Sequence, residues 1–174
     1  LSRDGAATVY RRVVVPAGSH TFVAKMKDTP AGEFGHVARR GIELGSGRVL
    51  VIEPRRIACR SLASRVAELE GSQLGDDVGY LVRDEARAHD TTRIVFATPG
   101  LLLRNRELLD GAQCVILDEF HERSLDLDLL LALLLRAKRK GLVIMSATLE
   151  GERVAQHVGG VHLTAAGRAY DVAV

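Results

Sequence analysis

Residues 114–124 read Cys114-Val115-Ile116-Leu117-Asp118-Glu119-Phe120-His121-Glu122-Arg123-Ser124. Four apolar residues run without alternation straight into two adjacent carboxylates. Unbroken hydrophobicity of this kind is the pattern of a strand covered on both faces, which puts Asp118 and Glu119 at its C-terminal end. Two carboxylates held there can position a magnesium ion and a water for attack on a phosphate, so NTP hydrolysis is the first expectation. A second apolar run, Leu142-Val143-Ile144-Met145, leads in the same way into Ser146-Ala147-Thr148.

Working outward, short apolar runs at 13–15, 21–24, 49–52, 94–97 and 161–163 repeat the pattern. Helical stretches lie between them. Residues 57–69 place Ile57, Leu62, Val66 and Leu69 at helical spacing after Pro54, and residues 124–140 start at a candidate N-cap serine. That second stretch closes on Arg136, Lys138, Arg139, Lys140 and Gly141, a sequence suited to a helix C-terminus. The expected fold class is α/β, a mainly parallel sheet with helices on both faces. Ligands of such sheets bind beyond the carboxyl ends of the strands, where Glu53, Arg55, Thr98, Asp118, Glu119 and Ser146 all fall.

The 174 residues suit one domain, and 47% hydrophobic residues suffice for a core. Aromatic residues make up 4% and tryptophan is absent, so base-stacking platforms are not expected and nucleic-acid contact would rest on charge and backbone amides. A net charge of +2 neither demands nor excludes a polyanionic partner. Cys59 and Cys114 fall inside predicted elements, which reads as buried thiols in a reducing, cytoplasmic setting rather than as a disulfide. No apolar stretch approaches the roughly 20 residues of a membrane span, and the N-terminus shows no signal pattern. His20, His36, His89, His121, His157 and His162 have no metal-ligand spacing with cysteine or carboxylate, which leaves a zinc site without support.

The stretch from Val115 to Ser124 resembles motif II of DEAH-box helicases, closely that of the bacterial HrpB-type branch. By that resemblance Asp118 coordinates Mg2+, Glu119 orients and polarises the attacking water, and His121 couples the site to motif III. Ser146-Ala147-Thr148-Leu149 is similar to motif III, the turn linking hydrolysis to strand movement, with Ser146 and Thr148 as its coupling residues. Glu53-Pro54-Arg55-Arg56-Ile57-Ala58 resembles motif Ia, where arginines and a helix N-terminus hold the nucleic-acid backbone. Thr98-Pro99-Gly100-Leu101 matches motif Ib in position, although Pro99 is nearer the DEAD-box form. Val78-Gly79-Tyr80 with Val82-Arg83 resembles the segment between those two motifs, and Gly167-Arg168 with Val172 the passage into a linker.

The order of these motifs implies a RecA-like P-loop NTPase fold. Residues 1–20 form a lead-in, 21–166 the first motor domain, and 167–174 the start of a linker to a second RecA-like domain required for activity. It further implies ATP and Mg2+ as ligands and single-stranded RNA as a partner. The phosphate loop departs from the family pattern, since no Gly-Lys-Ser or Gly-Lys-Thr occurs in the chain. Aligned on the helix expected to follow, residues 27–34 retain Thr29 and Gly32 but carry Glu33 where the lysine belongs and Phe34 where a hydroxyl would meet magnesium. A shorter placement uses Ala17-Gly18-Ser19-His20-Thr21, with His20 near the lysine's place. Two functions follow: an ATP-dependent RNA helicase motor domain, or a degenerate one that binds RNA or protein without hydrolysing NTP.

Overall fold

The computed structural model describes residues 18–26, 36–44, 47–147 and 151–163. The core is a six-stranded sheet built from β3 (Arg48–Ile52), β4 (Val78–Val82), β5 (Glu85–Arg87), β6 (Ile94–Ala97), β7 (Ala112–Leu117) and β8 (Leu142–Ile144). Its strand order is β5-β4-β6-β3-β7-β8, parallel throughout except for the β4–β5 hairpin.

Alternate residues of the central strands feed two separate cores. Leu50 and Ile52 of β3, Val95 and Ala97 of β6, and Val115 and Leu117 of β7 face one side. There they meet α2 (Pro99–Arg104), α3 (Glu107–Asp110) and α4 (Leu125–Arg136). Val51, Phe96, Val78, Tyr80 and Val82 face the other side and α1 (Arg56–Glu70). Helices on both faces explain why the strands read as continuous apolar runs, since neither set of alternating side chains meets water.

Sequence and packing agree closely at α4. Ser124 Oγ accepts the Leu127 amide at 3.2 Å, Asp126 and Asp128 lie in the first turn where the helix dipole favours anions, and Leu127, Leu130, Leu131 and Leu134 form the buried stripe. The helix stops at Arg136, four residues before the expected end. Lys138 takes a left-handed φ of 51°, and the Arg139 guanidinium turns back onto the carbonyls of Leu109 and Ala112. Gly141 is therefore not a helix cap. It lets β8 lie against β7, because a Cβ there would stand 2.2 Å from the Gln113 carbonyl oxygen.

Helix α1 departs from expectation in its buried face. Ile57 is 77% exposed, Leu62 and Leu69 are exposed too, and the sheet is met instead by Cys59, Ala63 and Ala67. Small side chains every fourth residue let the helix approach the sheet closely, a stripe that a search for large apolar residues overlooks. The helix ends at Gly71 in left-handed conformation, with Ser72 N–H on the Ala67 carbonyl at 3.0 Å.

Strands β1 (Gly18–Met26) and β2 (His36–Leu44) form a separate antiparallel sheet. The run at 21–24 is thus a strand, but outside the parallel sheet. The helix expected after Phe34 is a strand as well, where Val37 and Ile42 suit extended backbone and β1 supplies the ladder partner. The shorter phosphate-loop placement fails for the same reason, because Gly18, Ser19, His20 and Thr21 pair with Leu44, Glu43, Ile42 and Gly41. Residues 161–163 form no strand, and α5 (Gly151–Val158) precedes them. The run at 13–15, the loop residues Thr29, Gly32, Glu33 and Phe34, Thr148, and residues 167–174 lie outside the described residues.

Candidate nucleotide and nucleic-acid site

Register brings the candidate residues to one sheet edge. Ile52 of β3 is aligned with Ala97 of β6 and with Leu117 of β7, so Glu53, Thr98 and Asp118 each stand one residue past three neighbouring strand ends. Backbone bonds extend the ladder one step further: Glu53 N–H to Ala97 O at 3.0 Å, Asp118 N–H to Ile52 O at 2.8 Å, and Met145 N–H to Leu117 O at 2.8 Å. The loops after four parallel strands are thereby held side by side.

Asp118 uses Oδ1 to accept the Glu119 amide at 2.8 Å. Glu119 then takes a left-handed backbone, φ 49°, and starts the 3-10 turn η1 (Phe120–Glu122), which ends at Arg123 with φ 44°. Two non-glycine residues in that region cost roughly 1–3 kcal/mol each and persist only where surrounding contacts impose them. Those contacts are visible. Phe120 is buried and its N–H reaches the Met145 carbonyl at 3.0 Å. Arg123 forks onto Asp128 at 3.1 and 3.0 Å while stacking over the Phe120 ring at 5.3 Å.

His121 joins two motifs. Its Nδ1 accepts the Ala147 amide at 3.3 Å, which places the ring proton of the neutral form on Nε2, 3.3 Å from Glu119 Oε2. The ring lies between the Glu119 carboxylate and the turn carrying Ser146. Ser146 is exposed at that turn.

A third carboxylate, Glu53, lies beneath the pair and is 1% exposed. Burial raises its pKa above the ordinary glutamate value; the Arg55 amide donated to Oε1 at 3.0 Å opposes the rise, while the charges of Asp118 and Glu119 add to it. Glu53 also accounts for part of the Cys59 shift: burial, then the nearby carboxylate, push that thiol up to about 12, a value of an inert core cysteine.

Both candidate phosphate-binding arginines are engaged within the domain. Arg55 Nη2 lies 2.7 Å from Glu122 Oε1 and its Nε 3.7 Å from Glu53 Oε1, while Arg56 Nη2 donates to the Arg83 carbonyl at 2.6 Å. Glu122 is the residue sequence reasoning passed over, since it was quoted within the motif without a role. Its only signal is a carboxylate directly following His121. Thr98 is nearly buried at the start of α2, and Gly100 faces α4, where a Cβ would stand 3.0 Å from Asp126 Oδ2.

The donor set suits magnesium as a partial shell. Asp118 Oδ1 accepts the amide of its own turn, and Oδ2 is the oxygen it could offer an ion. Magnesium commonly keeps several waters and takes one or two carboxylates plus substrate phosphates. Among the described residues no group of three or more histidine, cysteine or acidic side chains could form a protein-only cage. A groove of about 480 Å³ between the β4–β5 turn and α2–α3, lined by Leu81, Leu101, Asn105 and Leu108, contains none of these site residues.

The mainly parallel six-stranded sheet with helices on both faces, carrying paired carboxylates on a strand-end turn, has the architecture of a RecA-like α/β domain. A family model of the DEAD/DEAH box helicase matches residues 34–157, and the chain belongs to that family. It is 44% identical over 119 residues to the ATP-dependent RNA helicase HrpB of Escherichia coli strain K12, covering 64% of this chain and 15% of that protein. A homolog of the ATP-dependent RNA helicase HrpA from Haemophilus influenzae is 38% identical over 167 residues, 89% of this chain and 13% of that one. The crystal structure of E. coli DEAH/RHA helicase HrpB matches with a TM-score of 0.56 and 43% identity over 64% of this chain and 15% of that chain. The chain thus spans under a fifth of the length of these relatives. No helix among the described residues is long and apolar enough to cross a membrane.

Proposed function

We propose that residues 21–166 act as the nucleotide-binding first motor domain of an ATP-dependent RNA helicase, with residues 167–174 leading to a second RecA-like domain required for activity. The observation that carries this reading is the Asp118–Glu119 turn at the edge formed by β3, β6 and β7, tied through His121 to the turn after β8. Asp118 would hold Mg2+ through its carboxylate, and the ion bound with ATP would supply neutralisation of charge on the phosphates. Glu119 orients a water and accepts its proton. His121 holds Glu119 and reports its state to the turn of Ser146 and Thr148. Arg55 and Arg56, with the backbone around Thr98 and Gly100, take the phosphates of single-stranded RNA. The names of the relatives support the RNA substrate. Free thiols at Cys59 and Cys114 support a reducing, cytoplasmic setting.

A second reading is favoured by the absence of Gly-Lys-Ser or Gly-Lys-Thr from the chain. In the alignment of residues 27–34 Glu33 and Phe34 take the places of that lysine and hydroxyl, and a domain without them would keep its RNA-binding or protein-binding surface without turning over nucleotide. Phosphate release in the presence of RNA separates the two. Turnover abolished by Glu119→Gln supports the motor reading. Absence of nucleotide binding by the natural chain, with binding created by joint Glu33→Lys and Phe34→Thr, establishes the degenerate one.

A further inference from the structure

We propose that Glu122 is a positioning residue that holds Arg55 as a latch between the RNA site and the Asp118–Glu119 turn, and that an RNA phosphate opens the latch by displacing Glu122 from the guanidinium. The inference rests on the RNA-binding reading of Arg55.

Three observations carry it. First, Arg55 and Glu122 belong to different loops, one following β3 and the other in the turn after β7, and the 2.7 Å contact between them is a direct side-chain link from the motif Ia loop to η1. Second, η1 is bracketed by left-handed residues at Glu119 and Arg123, so it keeps its shape through its pins. Phe120 to Met145 and His121 to Ala147 pin it to the segment after β8, and Arg123 to Asp128 pins it to α4. The Glu122 pin leads to Arg55 at the start of α1, a residue of the proposed RNA site.

Third, the strength of the pair suits a latch. The Arg55 and Glu122 side chains are 61% and 33% exposed, so water screens them and the pair is worth at most about five-fold in an equilibrium, the equivalent of about 1 kcal/mol. Glu122 meets the guanidinium through one contact, whereas a phosphate can engage it bidentately and belongs to a polyanion whose counterions are released on binding. Glu53 keeps its own contacts to Arg55, through the backbone amide and at 3.7 Å through Nε, so the loop stays in place when Glu122 lets go. Release removes one pin from the turn that carries Glu119. RNA arrival and the placing of the hydrolytic carboxylate are thereby linked without a change in the sheet.

The test is the affinity for a labelled single-stranded oligouridine at fixed salt, using the full chain and its Glu122→Gln, Glu122→Asp, Arg55→Gln and Arg55→Gln/Glu122→Gln variants. Both Glu122 variants are expected to bind RNA about two- to five-fold more tightly. Glu122→Asp keeps the charge and shortens the reach, so its gain separates release of Arg55 from a change in net charge. The gain is expected to vanish in the Arg55→Gln background. An unchanged affinity in both Glu122 variants, or an equal gain with and without Arg55, overturns the latch while leaving RNA binding intact. No binding by the natural chain or by any variant overturns the latch together with the RNA-binding reading.

Discussion

His121 and Ala147, 26 positions apart, are joined by a hydrogen bond of 3.3 Å from the Ala147 amide to Nδ1 of the ring. That bond ties the turn after β7 to the turn after β8. Replacing His121 by alanine is expected to speed hydrogen exchange at the Ala147 amide roughly two- to ten-fold, in line with a net hydrogen bond of about 0.5–1.5 kcal/mol. Exchange measured by NMR or mass spectrometry checks it, and global stability should change little because the contact is exposed.

Helix α4 provides a paired test of the core. Leu127 is 0% exposed against β3, β6 and β7, whereas Leu125, two residues earlier, is 84% exposed. Leu127→Ala is expected to cost about 2–5 kcal/mol in urea unfolding. Leu125→Ala should stay within about 0.5 kcal/mol of the parent.

Two glycines near β7 should respond with opposite signs. At Gly141 an added Cβ would fall 2.2 Å from the Gln113 carbonyl oxygen, so Gly141→Ala is expected to destabilise by about 1–3 kcal/mol as β8 is pushed from β7. Gly111 has φ −78° and nothing within 4 Å of an added Cβ. Gly111→Ala should be neutral or stabilise by about 0.4–1 kcal/mol through the unfolded chain. Thermal or urea unfolding of the two variants measures both effects.

Glu53 predicts a pH dependence. Its folded-state pKa is raised, so the folded protein holds this proton more tightly than the unfolded chain does. Stability from this group is fully present below the ordinary glutamate range and is lost as pH rises through the raised value. Glu53→Gln keeps an acceptor for the Arg55 amide and removes the buried charge. The variant should therefore gain stability relative to the parent as pH rises through and above the carboxylate range, and the gain should level off once Glu53 is ionised. Denaturant midpoints measured from acid to neutral pH check the slope.

Much of the fold was legible because β3, β6 and β7 are short apolar runs flanked by helices on both faces, which leaves little alternation to confuse the reading; β8 reads the same way although its Val143 is exposed. The β4–β5 hairpin was less legible, since Gly79 interrupts β4 and Glu85-Ala86-Arg87 is a polar edge strand. Gly79 is there for a backbone approach, an added Cβ meeting the Arg87 carbonyl oxygen at 2.1 Å. The buried face of α1 was misread because Cys59, Ala63 and Ala67 are small. Residues 36–44 were misread because a local pattern compatible with a helix is overridden by pairing with β1.

Among the candidate site residues, Asp118, Glu119, Thr98 and Arg55 were marked by their places just after strands, and His121 by the family resemblance alone. The register of three parallel strands accounts for their meeting. The Arg55–Glu122 link did not follow, because it joins two loops 67 positions apart in the chain and no local pattern marks it. The burial of Glu53 was equally hidden, since a glutamate after a strand reads as solvated until the packing around it is known.

Calorimetric titration of magnesium ATP into the natural chain and into Asp118→Asn tests the motor reading most directly. The expected result is saturable, magnesium-dependent binding by the natural chain that weakens at least about tenfold in the variant, as loss of a metal-binding carboxylate requires. Absence of binding up to millimolar nucleotide, or binding indifferent to Asp118, would contradict it.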